Sequence, residues 1–290
     1  MTPTTPHLRL GVIGYPIRHS ISPAFQQAAL DEYGIGATYE RYEVAPENLS
    51  SFVDLVRGEE WLGINVTIPH KQATIPLLDE VEPVAAVIGS VNTVLRKPNG
   101  SLWGTTTDPW GFANALAEHG YKFEGSRAVV LGTGGTARAV VAALLDRRVV
   151  GITAVGRSVA RAGELTVRLA PLRSDSQYLR PMAWDAPELS SALREAQLLT
   201  NTTPVGMLGG GAEGVLPVAP HLLHAGLTVF DAVYNPMETP LLIAAGDVGA
   251  QTVGGLDMLV HQGAAAFALW TGREAPIEIM RKTAREAMEG

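Results

Sequence analysis

The sequence predicts an α/β protein, and three observations carry that prediction. Apolar strand-like runs and helical patterns alternate almost throughout the chain. Residues 127–145, RAVVLGTGGTARAVVAALL, pass from an apolar run through a glycine-rich turn into an apolar helical pattern, as a strand buried on both faces and its crossover helix would. Asn99-Gly100 lies between two strand-like runs and predicts a hairpin, so one antiparallel strand should interrupt an otherwise parallel sheet. A chain of 290 residues with 46% hydrophobic content is ample for a core and suits one large domain or two.

Taken in order, residues 8–13 form an apolar strand that ends at Gly14, Tyr15 and Pro16. A helix follows through Phe25, Ala29 and Leu30. Ser22 ahead of Pro23 predicts its start, with the hydroxyl at the N-cap and proline at the first helical position. Ser20 shares that turn. Two hydroxyls at a helix N-terminus either cap it or hold a carboxylate, and the residues alone leave both readings open. Residues 38–44 alternate as a strand, and residues 46–57 make an amphipathic helix with Leu49, Phe52, Val53 and Val56 inward.

In residues 61–71, WLGINVTIPHK, the apolar Ile64, Val66 and Ile68 alternate with Asn65 and Thr67, which puts the polar pair on one strand face. Pro69 ends that strand and sends Lys71 out at its carboxyl edge, where open α/β sheets bind ligands. Lys71 is there either a solvated lysine or a functional cation beside the polar face. Residues 91–96 and 101–105 form the hairpin, with Asn92 near its start. Thr107-Asp108-Pro109 opens a helix through Phe112, Leu116 and Ala117. Asp108 is a good N-cap in its own right and also a suitable carboxylate partner for Lys71.

Residues 120–126 read as a linker into the glycine-rich segment. Gly132, Gly134 and Ala137 stand at G-x-G-x-x-A spacing after a strand and before a helix. That is where glycines allow a tight turn, backbone N–H groups approach a pyrophosphate, and a helix N-terminus faces the anion. The next strand, residues 151–155, tells one dinucleotide from another. An NAD site would place Asp or Glu at its end; this chain has Gly156, Arg157 and Ser158, then Arg161, and two guanidiniums suit a 2′-phosphate. NADP is therefore the expected cofactor. A polar loop at residues 201–207 follows an apolar strand on the expected cofactor side, while Gly209-Gly210-Gly211 reads as a flexible surface loop. Residues 227–230 are another buried strand, and the chain closes with a helix reaching Trp270, in which Met258, Leu259, Phe267 and Trp270 read as core contacts.

Composition excludes several classes. A net charge of −7 argues against nucleic acid or an anionic membrane as partner. The absence of cysteine removes disulfides, thiol nucleophiles and cysteine-ligated metals, and the seven histidines have no metal-ligand spacing, so no metal is expected. No apolar run reaches the length of a membrane span, and MTPTTPHLRL has no apolar h-region, so a cytoplasmic location is the expectation.

The combination of motifs is more specific than any one of them. SISP at residues 20–23, NVTIPHK at 65–71, VNT at 91–93, TTD at 106–108, GTGGTAR at 132–138, GRSVAR at 156–161, TNTTPVGM at 200–207, DAVYNPMETPLL at 231–242 and GGLDMLVHQGAAAFALWTG at 254–272 together resemble the shikimate dehydrogenase family. The resemblance implies NADP-dependent reversible reduction of 3-dehydroshikimate to shikimate, in aromatic amino-acid biosynthesis. It implies two α/β domains: residues 1–107 with 243–290 for substrate, on a mixed sheet, and residues 108–242 as a Rossmann-fold NADP domain. Ser20 and Ser22 would hold the substrate carboxylate, with Tyr234 near it. Asn65, Thr67, Asn92, Asp108 and Gln262 would read the ring hydroxyls, and Lys71 with Asp108 would form the catalytic pair. Gly132, Thr133, Gly134, Gly135 and Thr136 would cradle the pyrophosphate. Gly156, Arg157, Ser158 and Arg161 would surround the 2′-phosphate, and Ala232 and Gly255 would lie along the nicotinamide. A homodimer is compatible with the resemblance. Two positions depart from the family: Gly156 and Thr106 stand where it usually has asparagine. The alternatives are a quinate/shikimate dehydrogenase using NAD, a folate-linked NADP dehydrogenase of similar shape, and a non-catalytic NADP-binding regulatory homologue.

Overall fold

Two six-stranded sheets organise residues 7–289, which this computed structural model describes. Residues 1–6, most of the segment read above for a leader, lie outside the described residues. The chain divides into two units: one takes the chain up to Thr107 and again from Gln262 onward, the other residues 108–261.

The first unit runs β1 (Leu8–Gly14), α1 (Ser22–Glu32), β2 (Ala37–Glu43), α2 (Leu49–Leu55), β3 (Gly63–Val66), β4 (Glu80–Val81), α3 (Pro83–Ile88), β5 (Thr93–Arg96) and β6 (Leu102–Thr105). Its sheet order is β2-β1-β3-β5-β6-β4. Strands β1, β2 and β3 are mutually parallel, and β5 runs antiparallel to both β3 and β6. Tyr42, Phe52 and Trp61 pack against one another in tilted and edge-on pairs, beside a core of Ile13, Val53, Ile64, Val66 and Val94. Burying such aromatic area is worth more than any single polar contact in the unit.

Several sequence expectations for this unit change. The strand expected to carry Ile68 inward stops at Val66, and Ile68 is 74% exposed. Pro69 has no N–H to extend a ladder, and the Ile68 carbonyl instead accepts from Tyr15 N–H at 3.0 Å, which turns the chain out of the sheet. Ser22 is not the N-cap of α1. Ile21 occupies that position without a side-chain cap, and the Ser22 N–H donates to Ser20 Oγ at 3.4 Å. The helix expected over residues 46–57 is a 3-10 turn followed by α2. The short β4 and α3 carry no period that sequence reading can detect.

The second unit runs α4 (Asp108–Glu118), β7 (Arg127–Leu131), α5 (Gly135–Asp146), β8 (Gly151–Gly156), α6 (Val159–Leu169), β9 (Tyr178–Ala183), α7 (Leu189–Glu195), β10 (Leu198–Asn201), β11 (Thr228–Asp231), α8 (Pro240–Asp247) and β12 (Gln251–Gly254). Helix α9 (Gly255–Thr271) starts here and ends in the first unit, to which α10 (Ile277–Glu289) also belongs. The sheet order is β12-β11-β10-β7-β8-β9, with every pair parallel. Strands advance from β7 toward β9, then restart on the other side of β7 with β10, which makes a doubly wound sheet with its switch point between β7 and β10. Residues 120–126 therefore join α4 to β7 inside this unit and do not link two domains. Phe112 of α4 packs edge-on against Phe230 of β11 at 4.9 Å, which ties α4 to this sheet. The return to the first unit comes at Gln262, later than the expected residue 243, because β12 extends the second sheet beside β11.

Candidate active site

Strand direction gathers the polar residues of the first unit at one sheet edge. Parallel β1 and β3 both end there, in register at Val12 with Asn65. Antiparallel β5 begins there, with Thr93 opposite Asn65, and β6 ends there, with Thr105 opposite Thr93. The loops that leave these strands carry Ser20, Ser22, Thr67, Lys71, Asn92 and Thr107 from distant parts of the sequence.

Backbone bonds zip these loops together. Thr67 N–H donates to Ile13 C=O at 2.9 Å, and His70, which is buried, brings its Nε2 to 2.6 Å from Val44 C=O. The Lys71 carbonyl accepts from Val91 N–H at 2.9 Å, so the backbone of Lys71 is tied to the residue before Asn92. The Lys71 side chain is half-buried. Arg41 Nε donates to the Ser20 carbonyl at 2.6 Å, which fixes the turn that presents the Ser20 and Ser22 hydroxyls.

Behind the edge lies a continuous chain of buried side-chain hydrogen bonds. Tyr39 O–H donates to Asn65 Oδ1 at 2.6 Å. The Asn65 amide donates to the Asn92 carbonyl and to Thr93 Oγ1, both at 3.1 Å. Thr93 donates onward to Asn92 Oδ1 at 2.9 Å, which also accepts Thr107 N–H at 2.8 Å. The Asn92 amide donates to Thr107 Oγ1 at 3.0 Å and to Gln262 Oε1 at 3.2 Å. Three predicted residues, Asn65, Asn92 and Gln262, thus sit in one network. Tyr39, Thr93 and Thr107, which sequence reading did not single out, complete it. Burial raises the Tyr39 phenol well above its ordinary pKa, so it stays a donor. Asp108 follows Thr107 directly in the chain, is buried, and opens α4 in the second unit.

In the second unit the remaining predicted residues follow the carboxyl ends of β7, β8, β11 and β12. Gly132 has φ 115°, and a side chain there would run into Thr202, so only glycine fits. Thr202, just past β10, donates from its hydroxyl to Leu131 C=O at 2.6 Å, closing the two strand ends together. Helix α5 has Gly134 at its N-cap and no side-chain cap, which leaves first-turn backbone donors for a bound anion. Thr133, Gly135 and Thr136 continue that turn. Gly156 ends β8, and Arg157 and Arg161 are exposed beyond it, with no carboxylate among residues 156–161. Ser158 caps α6, its Oγ accepting Arg161 N–H at 3.4 Å. This turn, these donors and these guanidiniums fit a dinucleotide with a 2′-phosphate.

The loop after β11 is held by Asp231. It accepts from Asn201 Nδ2 at 2.9 Å, Val233 N–H at 3.0 Å and Thr239 Oγ1 at 2.7 Å. These bonds place Ala232, whose backbone is so close to Gly255 that any side chain at 255 would strike it. Tyr234 lies in the same loop, its phenol pushed up by burial. Burial also pushes the Asp231 carboxyl up to about 6, against the opposing effect of its three donors. Between about pH 4 and 6 the folded chain holds a proton that the unfolded chain has released. The stability from this group is fully present below about pH 4 and is lost as pH rises through about 6. Chemical denaturation of wild type and Asp231→Asn across this range should therefore show the wild-type advantage shrinking with rising pH, by at most about 3 kcal/mol. A constant difference would mean that Asp231 titrates normally.

Among the described residues no cluster of three or more histidines and acids could hold a metal, and no helix is long and apolar enough to cross a membrane.

Known proteins match this chain along nearly its whole length. The family profile described as shikimate dehydrogenase substrate binding domain matches residues 12–94, and that described as shikimate 5′-dehydrogenase C-terminal domain matches residues 255–285. The shikimate dehydrogenase (NADP(+)) of Symbiobacterium thermophilum is 42% identical over 283 residues, covering 97% of this chain and 95% of that protein. A crystal structure of a shikimate dehydrogenase in complex with NADP+ superposes with a TM-score of 0.89 at 34% identity, covering 97% and 96% of the two chains. The enzyme of Thermus thermophilus, in complex with NADP(H) and shikimate, gives 0.85 at 37% identity, covering 97% and 99%.

Proposed function

The chain belongs to the shikimate dehydrogenase family, and from that membership we propose that it is an NADP-dependent oxidoreductase interconverting 3-dehydroshikimate and shikimate in aromatic amino-acid biosynthesis. The observation that carries this reading is the hydrogen-bonded polar edge of the first unit. Asn65, Asn92 and Gln262 share one buried network there, and Lys71 is tied by its backbone beside it. Such an edge suits a small ring bearing several hydroxyls, because polar groups fixed in a buried network match hydroxyls at defined positions and reject a ring that lacks them.

Ser20 and Ser22 bind the substrate carboxylate, with Tyr234 near it. Asn65, Thr67, Asn92, Asp108 and Gln262 bind the ring hydroxyls. Residues 132–136 hold the pyrophosphate at the N-terminus of α5, and Gly156, Arg157, Ser158 and Arg161 surround the 2′-phosphate. Ala232 and Gly255 lie along the nicotinamide. When bound, NADPH supplies the hydride that reduces the C3 carbonyl. The carbonyl oxygen gains negative charge as this happens. Lys71, as an ammonium, stabilises that charge and supplies the proton, and Asp108 orients Lys71 and holds a neighbouring hydroxyl. Reaction in the cytoplasm and a homodimeric assembly complete the reading.

The test is turnover itself. Purified protein with NADPH and 3-dehydroshikimate should oxidise the nucleotide, with much slower rates for NADH and for quinate in the reverse direction. Binding of both ligands without turnover would leave only the non-catalytic alternative standing.

A further inference from the structure

Tyr39 stands two strands away from Asn65, on β2, with β1 between them, a separation of about 10 Å at normal strand spacing. Its side chain crosses that distance to reach Asn65 Oδ1. The ring is held in place by Trp270, at 6.1 Å between centroids, and the Tyr39 N–H donates to Gln27 Oε1 at 2.9 Å. Trp270 is itself anchored, donating its indole N–H to Val94 C=O at 3.0 Å. A buried phenol in so rigid a setting, with its one proton spent on an amide oxygen, has a consequence for what that amide can offer.

The orientation of the Asn65 amide follows from chemistry. The Asn92 carbonyl can only accept, so the Asn65 atom 3.1 Å away must be the nitrogen. Its second N–H goes to Thr93 Oγ1. Both donors of the amide are therefore used within the protein, and Oδ1, facing Tyr39, keeps one lone pair after accepting the phenol proton. We propose that Tyr39 is a positioning residue for the reaction: with Thr93, it clamps the Asn65 amide so that this position meets the substrate only as a hydrogen-bond acceptor, taking the proton of a ring hydroxyl. The inference rests on the reading of Asn65 as a substrate contact. It adds a specificity element outside the residues that touch the ring. Phenylalanine at 39 would keep the packing against Trp270 and lose only the clamp.

Steady-state kinetics with shikimate and NADP+ on Tyr39→Phe, Asn65→Ala and the double variant tests this. Tyr39→Phe is expected to raise the KM for shikimate about tenfold, the size of one buried hydrogen bond. The KM for NADP+ and kcat should each stay within about threefold of wild type, since the clamp touches neither the cofactor nor the reacting carbonyl. The double variant should be no worse than Asn65→Ala, because Tyr39 acts only through Asn65. An unchanged shikimate KM in Tyr39→Phe, while Asn65→Ala raises it, overturns the inference, as would additive effects in the double variant. A wild-type KM in Asn65→Ala overturns instead the reading of Asn65 as a substrate contact. Should Tyr39→Phe fail to fold, Thr93→Val removes the other arm of the clamp and carries the same expectation, with Thr93→Ser restoring the wild-type KM; a wild-type KM in Thr93→Val then overturns the proposal.

Discussion

Lys71→Ala is expected to lower kcat at least about a hundredfold and to leave the KM values for shikimate and NADP+ close to wild type. The charge Lys71 meets develops on the C3 oxygen only at the transition state for hydride transfer, in either direction. An interaction absent from the ground state appears in kcat and not in KM. General acid–base or electrostatic assistance of this kind is worth roughly 10² to 10⁴ in rate. The backbone tie that holds this loop should survive, because it uses the Lys71 carbonyl, which alanine keeps. Turnover within a few-fold of wild type would make Lys71 a surface lysine and remove the mechanism.

The second large effect is expected at the 2′-phosphate. Arg157→Ala should raise the KM for NADP+ by about ten- to a hundredfold, the range for one charge-assisted hydrogen bond, and leave the weak use of NAD nearly unchanged. Arg157 is exposed, so added salt should shrink the difference between the two proteins by screening. An equal loss with both cofactors would show that Arg157 supports the fold of the turn and does not read the phosphate.

What sequence could reveal depended on the range of the interaction involved. The turn at Gly132 is local: an apolar strand, two glycines and a small residue before a helix carry their geometry within a short stretch of chain. Asn65, Asn92 and Lys71 stood out through motifs, the structure brings Asn65 and Asn92 into one network, and the absence of an acid after β8 pointed to NADP. Tyr39, Thr93 and Thr107 were not legible. In TYERYEV a tyrosine looks like any strand aromatic, and its link to Asn65 exists only through the register of three strands. Ser22 misled for a different reason. Ser-Pro is a good helix start in general, but here Ser20 Oγ accepts the Ser22 N–H, and Ile21 takes the cap position. Ile68 fitted the alternation perfectly and is nonetheless exposed, since the period says nothing about where a ladder stops. Asp231 showed no signal beyond an acid at a strand end, because its role comes from Asn201 and Thr239 arriving from elsewhere.

The first unit is assembled from both ends of the chain, and this sets an order of events during synthesis. The second sheet and its crossover helices emerge as one uninterrupted stretch, residues 108–261, and their partners are all at hand once β12 has left the ribosome. The first sheet emerges earlier yet must wait. Helix α1, whose Phe25, Ala29 and Leu30 are fully buried in the finished protein, can pack on β1 and β2 early but lacks its contacts with α10 until α10 is made. Trp270 cannot brace Tyr39 before then either. At ~5–20 residues per second the intervening unit takes on the order of ten seconds to synthesise. Throughout that interval the part of α1 that α10 covers in the finished protein stays uncovered, ahead of a completed domain. Newly made chains should therefore be most prone to aggregation, and most dependent on a chaperone, in the window that closes when α10 docks.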